Sequence, residues 1–233
     1  MSKKLGVIQS SYIPWKGYFD IVRSVDEFIL LDDVQFSKGS WRNRNVIKAQ
    51  NGPQWLTIPI DVKGKLTQNI CDAQVSPKNN NWTRKHWGSI EAAYLKTRYF
   101  REYSGTFRDI YKNLTETNLS KINHIFLTTL CDILEIKTKI TWSMDYHILD
   151  EKNERLIDLC KKTGSTFYLS GPAAKDYMDL ALFEKSGIQV KFADYSGYPE
   201  YTQLFPPFEH AVSVLDLIFN EGPNALQYMK LLT

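Results

Sequence analysis

Leu5-Gly-Val-Ile-Gln9, Ser10-Ser-Tyr-Ile-Pro-Trp-Lys-Gly17, Tyr18–Ser24 and Glu27-Phe-Ile-Leu-Leu-Asp32 follow one another in the stretch that decides the fold. The first and last segments are short apolar runs of buried-strand length. The Ser, Pro and Gly content of the second makes it a loop, and between that loop and the second run there is room only for a short helix. Strand, helix, strand in this order is a βαβ unit, which places two parallel strands side by side through a right-handed crossover.

Downstream, Gly52-Pro53 punctuates the chain before Trp55-Leu-Thr-Ile-Pro-Ile60, and Val62-Lys-Gly-Lys65 reads as a hairpin turn leading into Gln68–Val75. Residues from about 52 to 76 are therefore expected to form a small β-rich insertion. From about 79 to 135 the period changes. Trp82, His86, Ile90, Ala93 and Tyr94 recur at helical steps, as do Leu119, Ile122, Phe126, Leu130 and Ile133, and this segment is read as helical. Alternation then resumes with Lys139–Trp142 as strand, Glu154–Lys162 as helix closed by Gly164, and Thr166–Leu169 as strand. Ala173–Lys185 follows as helix closed by Gly187, then Ile188–Phe192 as strand, Val212–Asn220 as helix and a short C-terminal helix. This is α/β grammar around a parallel sheet. No linker or repeat divides the chain, so one domain over residues 1–233 is expected.

The chain has 233 residues, 43% hydrophobic and 24% charged, a composition that excludes disordered, collagen-like and coiled-coil classes. Its longest apolar runs, such as Phe28–Leu31, are too short to span a bilayer, and no signal-peptide core follows Met1, so a cytoplasmic protein without a membrane span is expected. Cys71, Cys131 and Cys160 are widely spaced and odd in number, which shows neither a disulfide framework nor a zinc motif. A net charge of +3 is too mild to argue for nucleic acid by itself.

The chemistry concentrates in two places. Gln9, Tyr12, Trp15, Gly17 and Tyr18 sit on the loop after the first strand, where open α/β sheets bind ligands and where a glycine beside a helix start lets an anionic group approach backbone N–H groups. The rings also suit a packed turn, but the polar Gln9 beside buried strand residues points to a pocket. Asp32, Asp33 and Gln35 stand at the end of the second strand. Adjacent carboxylates on a continuing strand face opposite sides, so one of the two would face a site; a plain turn or helix cap is the other reading. Trp41, Arg42, Asn43, Arg44 and Lys48 follow within a short basic segment. These groups bind phosphate and pair with carboxylates. One such cluster is a small footprint for nucleic acid and a sufficient one for a nucleotide-linked substrate; a solvated basic face is the alternative.

His86 lies on the apolar stripe of its helix, the setting of a core histidine, and is kept as a further catalytic candidate. His124, His147 and His210 lack metal-ligand spacing, so no metal and no cofactor is expected. Tyr168 and Gly171 mark another strand end and Tyr177 the helix beyond it. Tyr201 belongs to an aromatic loop, Tyr198–Phe208, suited to stacking on a sugar ring or to core packing.

The motifs Gln9-x-x-Tyr-x-Pro-Trp-x-Gly-Tyr-Phe19, Asp32-Asp-Val-Gln-Phe36, Trp41-Arg-Asn-Arg-Asn-x-Ile-Lys48, Trp55-Leu-Thr-x-Pro59, Tyr168-Leu-Ser-Gly171 and Ser213-Val-Leu-Asp-Leu-Ile-Phe-Asn-x-Gly222 together resemble the WbqC-like family from end to end. One departure is Ser10, where the family commonly has proline. The resemblance implies acyl or aminoacyl transfer, glycyl in the namesake's setting, onto a nucleotide-linked amino sugar for bacterial O-antigen. The acyl donor is not readable from the sequence; an acylated carrier protein is one candidate. On that reading Arg42, Arg44 and Lys48 hold the diphosphate, Trp15 or Tyr12 stacks on base or sugar, Asp32 or Asp33 takes the amine proton, and Gln9 and Asn43 donate to the oxyanion. More distantly the chain resembles the Rossmann-like, HUP-type fold of HIGH-type nucleotidylyltransferases. There Trp15 and Tyr18 occupy the two histidine positions and cannot supply the charge that adenylyl transfer uses. Another nucleotide-dependent transferase, or a sugar- or nucleotide-binding protein without catalysis, would need the same pocket.

Overall fold

The computed structural model describes residues 2–65, 67–79, 81–146 and 152–232. Five strands form one sheet: β1 Lys4–Ile8, β2 Glu27–Leu30, β5 Lys139–Trp142, β6 Phe167–Ser170 and β7 Gln189–Phe192, in the spatial order β5-β2-β1-β6-β7. Every pairing is parallel, with Leu5 opposite Glu27 on one side and opposite Tyr168 on the other. Taken along the chain as strands one to five of the sheet, they lie in the order 3-2-1-4-5. That is a Rossmann-like α/β sheet, in which the direction of winding reverses between β1 and β6.

The pleat sorts the two cores. Leu5, Val7, Ile29 and Tyr168 face a cluster built with Leu156, Ile157 and Leu159 of helix α5 (Lys152–Thr163) and Phe183 of helix α6 (Leu180–Lys185). Phe28, Leu30 and Leu169 face the larger cluster, with Phe19 and Ile21 of α1 (Lys16–Arg23), Leu127 and Leu130 of α4 (Leu119–Ile133), and Leu217 of α7 (Val214–Glu221). Side chains alternate faces along a strand, so a sheet covered on both sides reads as continuous apolar runs. Gly164 and Gly187 end α5 and α6 at φ +69° and +71°, the left-handed position that the sequence assigns to helix-terminating glycine.

Two sequence expectations are corrected. The hairpin is formed by β3 (Arg44–Ala49) and β4 (Gly52–Thr57), antiparallel, with Asn45 opposite Leu56. The basic segment is therefore partly a strand, and residues 68–75 make only isolated bridges and one turn of 3-10 helix. The turn signal at Val62–Lys65 is real but joins no pair of strands. The second half of the expected Ala173–Lys185 helix is α6; its first half is a 3-10 turn, Pro172–Asp176. The helical segment contains α2 (Trp82–Tyr94), α3 (Phe100–Asn113) and α4.

The C-terminal chain returns to α1: Lys230 N donates to Asp20 Oδ1 at 2.9 Å and Leu232 N to Ser24 Oγ at 2.7 Å. Burial pushes the carboxyls of Asp20 and Asp216 up to about 6, against hydrogen bonds that favour ionisation. A folded-state pKa above the unfolded value means the native state holds the extra proton, so these groups' contribution to stability falls as pH rises from about 4 to about 6. Asp216→Asn should accordingly gain stability relative to the parent protein between pH 4 and pH 6.5, measured by urea unfolding; a difference that does not vary with pH would contradict the assignment.

Candidate functional site

A cavity of about 840 Å³ opens at the carboxyl ends of β1, β2 and β6, lined by Ile8, Gln9, Leu31, Asp33, Ser170 and Gly171 among others. This is the switch point between β1 and β6, where neighbouring connections leave the sheet toward opposite faces and a crevice results. The sequence-predicted residues Gln9, Trp15, Tyr18, Asp33, Gln35, Trp41, Arg42, Tyr168, Gly171 and Tyr177 all line it.

Asp33 faces this cavity and Asp32 does not. Asp32 is fully buried, with Oδ1 accepting from Ser10 N at 2.8 Å and Oδ2 accepting from the Ser120 hydroxyl of α4. Burial raises its pKa, partly offset by those bonds. A proline at position 10 would lack the N–H that Ser10 donates to Asp32 here. Asp33 Oδ1 accepts from Ser143 Oγ at 2.6 Å and lies 3.9 Å from Arg155 Nη1. The Asp-Asp pair thus splits into one tie for the fold and one cavity carboxylate.

Arg42 spans the floor of the β1 loop. Its Nη1 donates to the Gln9 backbone oxygen at 3.1 Å and to Gln9 Oε1 at 3.0 Å, and Tyr18 Oη donates to the same backbone oxygen at 3.2 Å. Burial lowers the Arg42 pKa, countered by Tyr18 and the Asp32 carboxylate, and a guanidinium stays charged in proteins. Because arginine only donates, Gln9 must turn its oxygen to Arg42, and its Nε2 amide has no partner among the described residues. The cavity therefore offers an unspent amide donor, two guanidiniums and one carboxylate.

The loop that carries Trp15 is held under strain. Ile13, fully buried and β-branched, sits at φ +37°, a conformation costing about 1–3 kcal/mol. Asn45 Nδ2 holds it by donating to the Tyr12 and Ile13 backbone oxygens, both at 3.0 Å. The Trp15 ring lies over Gly17, where an added Cβ would come within 2.3 Å of Trp15 Cζ2. Gly17→Ala should push the indole out of the cavity wall; near-UV circular dichroism unchanged from the parent protein would contradict this.

The remaining expected site residues stand elsewhere. Tyr12 is in the core, bonded to His86 Nδ1 at 2.9 Å and to the Tyr111 hydroxyl. Burial pushes His86 down to about 4, leaving it neutral near pH 7. Asn43 Nδ2 is spent on the Ile58 oxygen at 2.9 Å. Arg44 stacks on Trp55 at 4.1 Å. Lys48 Nζ donates to the Pro207 oxygen, and Tyr201 Oη donates to Asp216 Oδ1 at 2.8 Å. None of these, nor Asp32, lines the cavity. The cavity thus brings together Gln9, Asp33, Arg42 and Arg155, and leaves Tyr12 and Arg44 outside it. His147 lies outside the described residues.

Sequence reasoning missed Arg155, Tyr195 and Asn69. Tyr195, whose ring meets Trp15 edge-on at 4.9 Å, follows β7 and was findable from the strand-end rule. Arg155 had no signal, since nothing local marks one arginine of a polar helix start.

Fold and cavity define a Rossmann-like α/β protein with an open cavity at its switch point. The chain belongs to the WbqC-like protein family, whose model matches residues 9–228. It is similar to Uncharacterized protein Rv1507c of Mycobacterium tuberculosis (strain ATCC 25618 / H37Rv), with 43% identity over 228 residues, covering 98% of each chain. No solved structure matches it. No helix among the described residues is long and apolar enough to cross a membrane.

Proposed function

We propose that the protein transfers an acyl group to the amine of a nucleotide-linked amino sugar, a modification step in building bacterial surface polysaccharide such as O-antigen. The observation that carries this reading is the meeting of Asp33, Gln9, Arg42 and Arg155 in one switch-point cavity. Arg42 and Arg155 would take the diphosphate, and Trp15, Trp41, Tyr177 and Tyr195 offer ring faces to base and sugar. The substrate amine attacks the carbonyl carbon of an acyl thioester, carried by an acylated carrier protein. The C–N bond forms, the C–S bond breaks, Asp33 takes the ammonium proton of the tetrahedral adduct, and the thiolate leaves. The free Gln9 amide donates to the oxyanion. Incubation with a nucleoside-diphosphate 4-amino sugar and a panel of acyl thioesters, read by mass spectrometry, tests the reading, which no amide product from any donor would overturn. Arg42→Ala should weaken binding of uridine diphosphate by about tenfold or more, the value of a charged hydrogen bond; calorimetry showing equal affinity would remove the phosphate role.

One observation favours binding without turnover. Asp33 already holds Ser143 and faces Arg155, and a carboxylate engaged in this way can serve purely to fix a cationic substrate or the cavity wall. Under that reading the ligand binds and no product forms.

A further inference from the structure

The large cavity adjoins a second chamber of about 310 Å³. Trp15, Tyr18, Trp41 and Arg42 belong to both, so the two are neighbours across Arg42. Pro14, Ala211 and the shared rings make the small chamber's wall largely apolar. Of its polar residues, Asn45 is fully committed, donating to two backbone oxygens and accepting from Val46 N at 2.8 Å. Ser11 is 4% exposed, lines the chamber, and its hydroxyl has no hydrogen-bond partner among the described residues. A hydroxyl that opens onto a chamber without a protein partner is both a donor and an acceptor for whatever enters it. Among the described residues, the single charge on the wall is the Arg42 cation. No carboxylate among the described residues lines the chamber; Glu209, near in sequence to Ala211, accepts from the Ala211 backbone N–H at 2.9 Å.

We infer that this chamber is the acyl subsite, and that it takes a short uncharged acyl group, its carbonyl oxygen accepting from Ser11 and its alkyl carbon against Pro14 and the rings. An aminoacyl group is disfavoured: its ammonium would lose water beside Arg42, where like charges repel and no carboxylate among the described residues lines the chamber. Aromatic walls do hold cations, but here a cation already stands between the chambers. The inference rests on the acyl-transfer reading for its biological meaning and narrows it, since the family resemblance implies glycyl.

Two measurements separate the chamber from that reading. In the first, 2,2,2-trifluoroacetamide is titrated with the full chain by fluorine NMR. The resonance should shift on binding, glycinamide should not displace it, and both Ser11→Ala and Ala211→Trp, the latter filling the chamber from an exposed position, should weaken the effect. No shift, displacement by glycinamide at equal concentration, or an unchanged shift in folded variants overturns the inference. In the second, the N-acetyl form of a nucleoside-diphosphate 4-amino sugar should bind about tenfold more tightly than its N-glycyl form, a modest preference of the kind one buried methyl and one avoided charge produce. Equal or tighter binding of the glycyl form overturns it. Binding of trifluoroacetamide with no binding of any nucleotide sugar would instead overturn the acyl-transfer reading and leave the chamber standing.

Discussion

Asp33→Asn is expected to lower amide formation by about 10²-fold or more, the usual cost of removing a general base, while the nucleotide-linked sugar binds with nearly unchanged affinity. The substitution keeps the shape of the side chain and a hydrogen-bonding oxygen for Ser143, which reaches Asp33 Oδ1 at 2.6 Å. What it removes is the negative charge that receives the proton and faces Arg155. Single-turnover kinetics alongside calorimetry separates the two effects. If turnover persists within about threefold of the parent protein, far short of the general-base effect, Asp33 is no base. If affinity falls while no product ever forms in the parent protein, the binding-only reading stands.

Asp32→Ala should lower stability by roughly 2–5 kcal/mol, because it strands two buried donors at once, at about 1–3 kcal/mol each. Ser10 N and the Ser120 hydroxyl both point at this carboxylate, and Ser120 Oγ itself accepts from Trp142 Nε1 at 3.0 Å. One side chain therefore ties the β1 loop to α4 and to the edge strand. Asp32→Asn retains volume and one acceptor and should cost less. Guanidinium unfolding of both variants checks the order; an alanine variant as stable as the parent protein would show that the tie is dispensable. The adjacent carboxylates should thus separate experimentally, Asp32 appearing in stability and Asp33 in turnover.

The strand runs were legible because burial on both faces writes the central strands β1 and β2 as nearly uninterrupted apolar segments, while the edge strands β5 and β7 alternate. Leu5–Gln9 and Glu27–Asp32 lie within a residue or two of β1 and β2, and Lys139–Trp142 coincides with β5. The hairpin was placed too late because two turn signals compete: Gly52 turns the chain at φ +103° between strands paired along six residues, whereas Gly64 turns it between segments that meet only at the isolated antiparallel bridge of Ile60 with Val75. Turn chemistry fixes a local bend, and only partners elsewhere make it a hairpin.

At the site the sequence determined which loops carry the chemistry, because strand ends and special residues are local properties: Gln9, Trp15, Asp33, Arg42 and Tyr168 were all named from such positions, and all line the cavity. Tertiary structure alone decided which member of each neighbouring pair faces it. Asp33 rather than Asp32, and Arg42 rather than Arg44, followed from where Ser10, Ser120, Trp55 and Gln9 came to rest. It also supplied Arg155 from a helix more than a hundred residues downstream of Asp33. Composition and spacing carry the periodicity that buries a strand, but a side chain's role is set by the donors and charges that folding brings within hydrogen-bond reach, and those lie far away along the chain.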